Sequence, residues 1–248
     1  LLGTTVRLLV NICLVLLLAG CASSGSKTDP YESTNRAIYK FNRGLDKAVL
    51  LPVAETYTDI APDFVQDGAS NFFSNINDVG IFINNVLQFK LVDASSDLGR
   101  ILINTTVGLG GLFDPASAMG LQKHDEDFGQ TLAAWGFESG PYIMLPLLGP
   151  TTGRDIFGIP ADNYFDPFTE IRDDTTEFTL KSGRLLLQRA SLLDFESQLQ
   201  AAVDEYALVR DAYLQNRKFK VYDGDIPLED EFDCDPEYEE CDEDEDDF

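Results

Sequence analysis

The chain has 248 residues, 44% hydrophobic and 11% aromatic, enough for one sizeable core and too apolar for general disorder. Its formal net charge is −25, which excludes nucleic acid as a partner, since that requires a basic face. The charge is uneven: residues 223–248 hold 16 Asp and Glu and no Lys or Arg, so 27 of the 43 acids face all 18 bases in the rest of the chain.

The first predicted element lies near the start. Arg7 is the only charge in the first 26 residues, and Leu8–Leu18 is apolar apart from Asn11. As a helix this run spans roughly 16 Å, about half of a ~30 Å bilayer core, so a membrane-crossing helix is not expected. A basic residue, a short apolar run and small residues at its exit read as a secretory signal. Leu18-Ala19-Gly20-Cys21 matches the bacterial lipobox. The match predicts a signal peptide over 1–20, cleavage before Cys21, a diglyceride on its sulfur and an acyl chain on its amine, then a lipidated polar linker over 21–28. One acyl chain holds a membrane marginally and several hold it stably. Ala22 after the cysteine, rather than Asp, resembles the sorting default for the outer membrane. Of the other cysteines, Cys13 falls in the signal, while Cys234 and Cys241 fall in the acidic segment, where an oxidising periplasm would permit a disulfide.

Helical periodicity dominates the body. Phe72, Phe73, Ile76, Val79, Ile83, Val86 and Leu87 recur at helical spacing, with Asn71, Asn75, Asp78 and Asn85 on other faces. This predicts an amphipathic helix over 65–91, whose polar side holds Asn and Asp rather than Lys and Glu. Two more helical regions are predicted, over 174–190 and over 194–217; in the latter, Leu199, Ala202, Val203, Tyr206, Val209 and Tyr213 lie on one side. Residues 99–160 are rich in Gly and Pro. Pro146 and Pro150 oppose a helix through Tyr142–Leu148, which reads as a short buried segment or a membrane-dipping turn. Alternating strand patterns are scarce, so the fold class is mainly α. The domain boundaries expected are a helical body over 29–222 and a disordered acidic tail over 223–248.

Catalytic chemistry is poorly provided for, and no enzyme activity is expected. The single histidine, His124, sits between Lys123 and Asp125 and reads as an exposed residue in a charged turn. No G-x-S-x-G, H-E-x-x-H, Cys/His zinc cluster or phosphate loop is present, so no cofactor or metal is expected. Gly108, Gly110 and Gly111 suit a turn or close packing. Asp233, Asp235 and Glu237 alternate, but Tyr238 stands where a calcium loop needs Gly, so a formed calcium site is not expected.

A series of short motifs nevertheless runs through the body in order. Asp29-Pro30-Tyr31-Glu32 leads to Asn35-Arg36 and Phe41-Asn42, then to Asn84-Asn85-Val86-Leu87-Gln88. Gly99-Arg100, Asn104-Thr105, Gly108, Gly111 and Asp114 follow, then "DFGQTLAAWG" at 127–136, "GPY" at 140–142, "GPTTGRD" at 149–155 and "DEYALVRDAYLQNR" at 204–217. Each motif alone is weak, whereas the ordered set, covering 29–217, is specific. It resembles the MlaA (VacJ) family of outer-membrane lipoproteins.

The resemblance implies a lipid transporter. In the family, amphipathic helices form a ring lying in the inner leaflet of the outer membrane. A channel through the ring removes phospholipids misplaced in the outer leaflet and hands them to a soluble periplasmic carrier, preserving lipid asymmetry. Members sit beside trimeric porins. By resemblance, Phe41 and Asn42 are channel-gating candidates. Asn85, Gln88, Arg100 and Asn104 are candidates for the channel wall or its bracing. For Arg100, a phosphate contact and a buried salt bridge both fit. Arg154-Asp155 suits a local structural pair, and the glycine- and proline-rich 136–150 segment is a candidate movable element. The apolar helix faces fit either an ordinary core or contact with acyl chains. The rival class is a structural lipoprotein that buttresses a porin without transporting lipid.

Overall fold

The computed structural model describes residues 28–227. The expected signal peptide, Cys21, Cys234, Cys241 and most of the acidic segment lie outside the described residues. The fold is mainly helical. In chain order, α1 (Glu32–Leu45) runs through a π-helical turn (Asp46–Leu50) into α2 (Leu51–Ile60), followed by α3 (Asp63–Leu87), α4 (Leu91–Thr106) and the short α5 (Pro115–Ala118). Next come α6 (Phe128–Ala134), a hairpin of β1 (Tyr142–Leu145) and β2 (Gly149–Thr152), and α7 (Asp155–Phe165). The chain finishes with α8 (Asp174–Ala190), α9 (Glu196–Ala201) and α10 (Glu205–Val221).

Local chemistry explains several boundaries. Asp114, Asp127, Asp173 and Asp204 each cap a helix, their carboxylates accepting first-turn amides: Gln130 N in α6, Thr176 N in α8, and Tyr206 N and Ala207 N in α10. Pro52 lacks an N–H, and the widened π-helical turn lies just before it, where the regular ladder is interrupted.

The helix over 174–190 forms as expected. The helix expected over 65–91 runs instead over Asp63–Leu87. It stops because Phe89 takes a left-handed φ of 62°, turning the chain back so that α4 packs along α3. The single helix expected over 194–217 is two, broken at Ala202–Asp204 where Asp204 starts α10. The break leaves Val203 fully exposed, so the six apolar residues do not share one helix face. The 142–148 segment, expected to be a short buried stretch or a dipping turn, has Tyr142 and Met144 buried and Leu147 and Leu148 exposed. It is one arm and the tip of an antiparallel hairpin, with Tyr142 opposite Thr152 and Leu145 opposite Gly149.

The interior is inverted relative to a water-soluble domain. Among the described residues, 18 buried side chains are polar or charged and only eight are hydrophobic. One small apolar cluster, Tyr142, Met144 and Tyr206, sits beneath the hairpin. The exposed large hydrophobics include Phe64, Phe89, Val92, Phe157, Tyr164 and Phe178, each more than 70% accessible. On α3 the arrangement is explicit: Asn75, Asp78, Asn84 and Asn85 point inward, while Phe64, Val65 and Val86 face out. Buried polar groups are tolerable only when bonded to one another, and these largely are. No helix of the described residues is long and apolar enough to cross a membrane.

Candidate functional site

The hairpin, α7 and α10 enclose a cleft of about 340 Å³, at the lower end of the size of small-molecule sites. Its lining is of two kinds. Asp127, Asp155, Asp162, Arg217 and Lys220 supply charge, and Leu145, Leu148, Ile159 and Tyr213 supply an apolar rim.

The charged floor is built by close approach. A Cβ on Gly158 of α7 would stand 2.8 Å from Gly129 N, and one on Gly129 would collide with Asp155 and Arg217. Glycine at both positions lets α6 and α7 meet and brings three segments to one guanidinium. Arg217 Nη2 donates to Asp127 Oδ1 at 2.7 Å and to Asp155 Oδ1 at 2.9 Å. Asp155 also accepts from Arg154 Nε at 2.9 Å and from the Tyr213 hydroxyl at 3.2 Å. The expected Arg154–Asp155 pair is therefore present as one edge of a larger network. Burial opposes the charge on Asp155, yet the bonds from Arg217 hold its carboxyl below the usual carboxylate range. Asp162 behaves oppositely: burial, to which Asp127 adds, pushes its carboxyl up to about 6.

The rim is held by α1. Asn42 Nδ2 donates to Leu145 O at 2.8 Å, and its Oδ1 accepts from Leu147 N at 2.9 Å. Two turns earlier on the same face, Asn35 donates to Tyr142 O at 3.1 Å and accepts from Met144 N at 2.9 Å. Two asparagines seven residues apart thus bind the β1 edge as a neighbouring strand would. The structure brings the gating candidate Asn42 onto the 136–150 segment, and Leu145, to which it bonds, lines the cleft. Phe41 beside it faces outward, 54% exposed.

The other candidates lie elsewhere. Arg100 is buried; its guanidinium donates to Ser117 Oγ, Leu121 O and Asp114 Oδ2, each at 2.9 Å, with Asp78 beyond. Asn104 donates to Asp114 Oδ1 at 2.9 Å and accepts from Ala116 N at 3.1 Å. Together they brace the 107–121 loop against α4. Asn85 Nδ2 donates to Asp97 Oδ2 at 2.7 Å. Gln88 Nε2 donates to Glu126 Oε2 at 2.7 Å and to Thr131 Oγ1 at 3.2 Å. None of the four lines the cleft. From Gln88 a polar chain runs to it: the Thr131 hydroxyl donates to Asn84 Oδ1 at 2.8 Å, and Asn84 Nδ2 reaches Asp162 Oδ1 at 3.4 Å.

Two further readings are resolved. His124 is not an exposed turn residue: it is half-buried, with Nδ1 2.7 Å from Asp97 Oδ1 and Nε2 3.6 Å from Asp93 Oδ1. Gly108 and Gly111 are packing positions, a Cβ on Gly111 falling 2.8 Å from Asn75 Cβ. Sequence reasoning missed Asp127, Asp162, Arg217 and Lys220 as site residues. Asp127 and Arg217 stand inside motifs already noted, "DFGQ" and "LQNR", whereas Asp162 and Lys220 carry no signal in the sequence.

Comparison with known proteins gives concordant results. The model of the MlaA lipoprotein family matches residues 27–220. The chain is 34% identical over 222 residues to the intermembrane phospholipid transport system lipoprotein MlaA of Escherichia coli, covering 85% of this chain and 86% of that one. The Haemophilus influenzae protein of the same description is 32% identical over 232 residues, covering 90% and 93%. An uncharacterized Rickettsia typhi protein is 34% identical over 195 residues, or 78% of each chain. A solved structure described as the structural basis for maintenance of bacterial outer membrane lipid asymmetry superposes with a TM-score of 0.67 at 33% identity, covering 78% of this chain and 98% of that one.

Proposed function

The chain belongs to the MlaA lipoprotein family, and from that premise we propose that it is a passage for phospholipids through one leaflet of the outer membrane, taking lipids misplaced in the outer leaflet toward a periplasmic carrier. The carrying observation is the inverted interior, with 18 buried polar side chains against eight hydrophobic ones and large hydrophobics outside. In water such a surface would drive association; in a leaflet it is solvated by acyl chains. A phospholipid crossing hydrocarbon must strip water from its charged headgroup, which is costly unless polar groups replace it. The cleft offers that exchange, charge on its floor and apolar side chains on its rim.

In this reading the helices form a ring in the leaflet, anchored through lipid on Cys21, and the Asn42-bound hairpin is the movable rim. Asn85, Gln88, Arg100 and Asn104 act as braces that keep the polar interior assembled, rather than as its wall. A trimeric porin is the expected neighbour.

Surface-exposed phospholipid, measured in cells lacking the chain and complemented in turn with wild type, Cys21→Ala and Asn42→Ala, tests this. The expected result is accumulation without the chain, correction by wild type, failure of Cys21→Ala to correct, and altered traffic in Asn42→Ala at normal protein level and with normal porin association. Surface lipid that stays normal without the chain refutes the passage and leaves the porin-buttress role.

A further inference from the structure

The cleft carries one charge that it does not balance. Arg217 spans Asp127 and Asp155, and Lys220 Nζ lies 2.6 Å from Asp125, a surface carboxylate. Asp162 remains. Its Oδ1 accepts from Phe128 N at 2.8 Å and from Asn84 Nδ2 at 3.4 Å, which fixes the carboxylate plane. Its Oδ2 accepts no hydrogen bond, and Asp162 forms no ion pair, among the described residues. An oriented, half-buried carboxylate without a cation is costly to keep ionised unless something cationic enters beside it.

The surroundings narrow what that is. A hard inorganic cation needs six or more oxygen ligands, whereas the cleft that Asp162 lines also presents the apolar Ile159, Leu145 and Leu148. Those side chains suit a ligand with an apolar body. Lys220, also in the lining, is held among the described residues by an exposed carboxylate, a weak pairing that a phosphate can displace. The one cleft thus carries a negative group from α7 and a positive group from α10. Resting on the passage reading above, we propose that the cleft recognises zwitterionic phospholipid headgroups, Asp162 accepting the ammonium and Lys220 the phosphate, in preference to headgroups that carry net negative charge. Burial, with Asp127 adding, pushes the Asp162 carboxyl up against the pull of Arg217.

The test uses the full-length lipidated chain in proteoliposomes. Phosphatidylethanolamine and phosphatidylglycerol with the same label on an acyl chain are followed separately, so that the headgroups stay free. Wild type moves phosphatidylethanolamine about tenfold faster, the effect of one charge-assisted hydrogen bond. Asp162→Asn keeps an acceptor for Phe128 N and loses the charge, and brings the ratio of the two rates to within about twofold of one. Asp162→Glu retains a clear preference. A wild-type ratio near one, or an unaltered ratio in Asp162→Asn, overturns the proposal. A readout independent of any variant is the wild-type ratio against pH. Asp127, Asp155, Arg217 and Lys220 share the cleft with Asp162, and Asn84 bonds to it; Asp155 is held below and Arg217 above its ordinary value, so the ratio falls between pH 7.5 and 5.5 as Asp162 takes up its proton, and a flat ratio refutes the assignment. If wild type moves neither lipid, the passage itself is refuted and the headgroup assignment falls with it.

Discussion

Asn42→Ala removes both hydrogen bonds that tie the hairpin tip to α1, the donor to Leu145 O and the acceptor for Leu147 N. Each bond to a backbone group contributes about 1 kcal/mol net. Leu147 is held at a left-handed φ of 67°, a conformation that costs a non-glycine residue roughly 1–2 kcal/mol. With the bonds gone, the tip loses about 2 kcal/mol of support and keeps its strain, so its open state becomes roughly 30-fold more populated. Hydrogen exchange followed by mass spectrometry on peptides covering 142–152 reads this directly, because the Leu147 amide is itself one of the lost donors. The expected result is faster exchange confined to the tip, with α1 unchanged, since alanine favours helix. Asn42→Asp, which keeps only the acceptor, should fall between. Exchange within about threefold of wild type in Asn42→Ala would show that the hairpin is held by other contacts, and would remove the latch from the proposed rim.

Arg100→Leu leaves the buried Asp78 with Lys123 as its remaining cation and Asp114 without its guanidinium; a cost of about 3 kcal/mol is expected, or roughly 10 °C of melting temperature in detergent. A drop below about 3 °C refutes the bracing role, and Arg100→Lys should not rescue, because an ammonium cannot reproduce the fork that meets three acceptors. The pH dependence of stability should have a maximum on the acid side of neutral. Asp162, raised to about 6, and Glu126, also pushed up by burial, bind protons in the folded state first, so stability rises as pH falls from about 7 toward 5. Asp162 contributes ~1–2 kcal/mol of that rise after allowance for its partial exposure. Below the ordinary carboxylate range the sign reverses, because Arg43 holds Glu196 down to about 2 and Arg217 holds Asp155 low against burial, and the stability from those pairs is lost as pH falls through their folded values. Melting curves across pH check both limbs, and Asp162→Asn should flatten the first; a monotonic fall from neutrality in wild type contradicts the assignment. Trp135, the single tryptophan, is half exposed beside Phe128, with its indole donating to Leu87 O. Lipids brominated on their acyl chains should quench its fluorescence strongly and aqueous iodide weakly; the opposite pattern would place this surface in water.

The sequence by itself was enough for the helical class and for the span of α8. Its ordered motifs also located the family, and the helical reading rests on a local reason: a 3.6-residue period needs no partner to be seen. Other features were beyond its reach. The left-handed turn at Phe89 and the break at Val203 depend on what packs around them, because no glycine or proline marks either position. The hairpin is stabilised by Asn35 and Asn42 from more than 100 residues away, a separation that no local pattern records. Asn85, Gln88, Arg100 and Asn104 were legible as candidates for the wall or its bracing, and the choice between the two was not, since their partners sit on other segments. The deepest ambiguity was the direction of the amphipathic faces. Periodicity on α3 says that Asn75, Asp78 and Asn85 share a side and that the aromatic residues take another, but the pattern is identical whether the polar side meets water or the interior. Only tertiary packing, which buries those polar groups against one another and leaves Phe64, Val65 and Val86 exposed, decides that the polar side of this helix is turned inward.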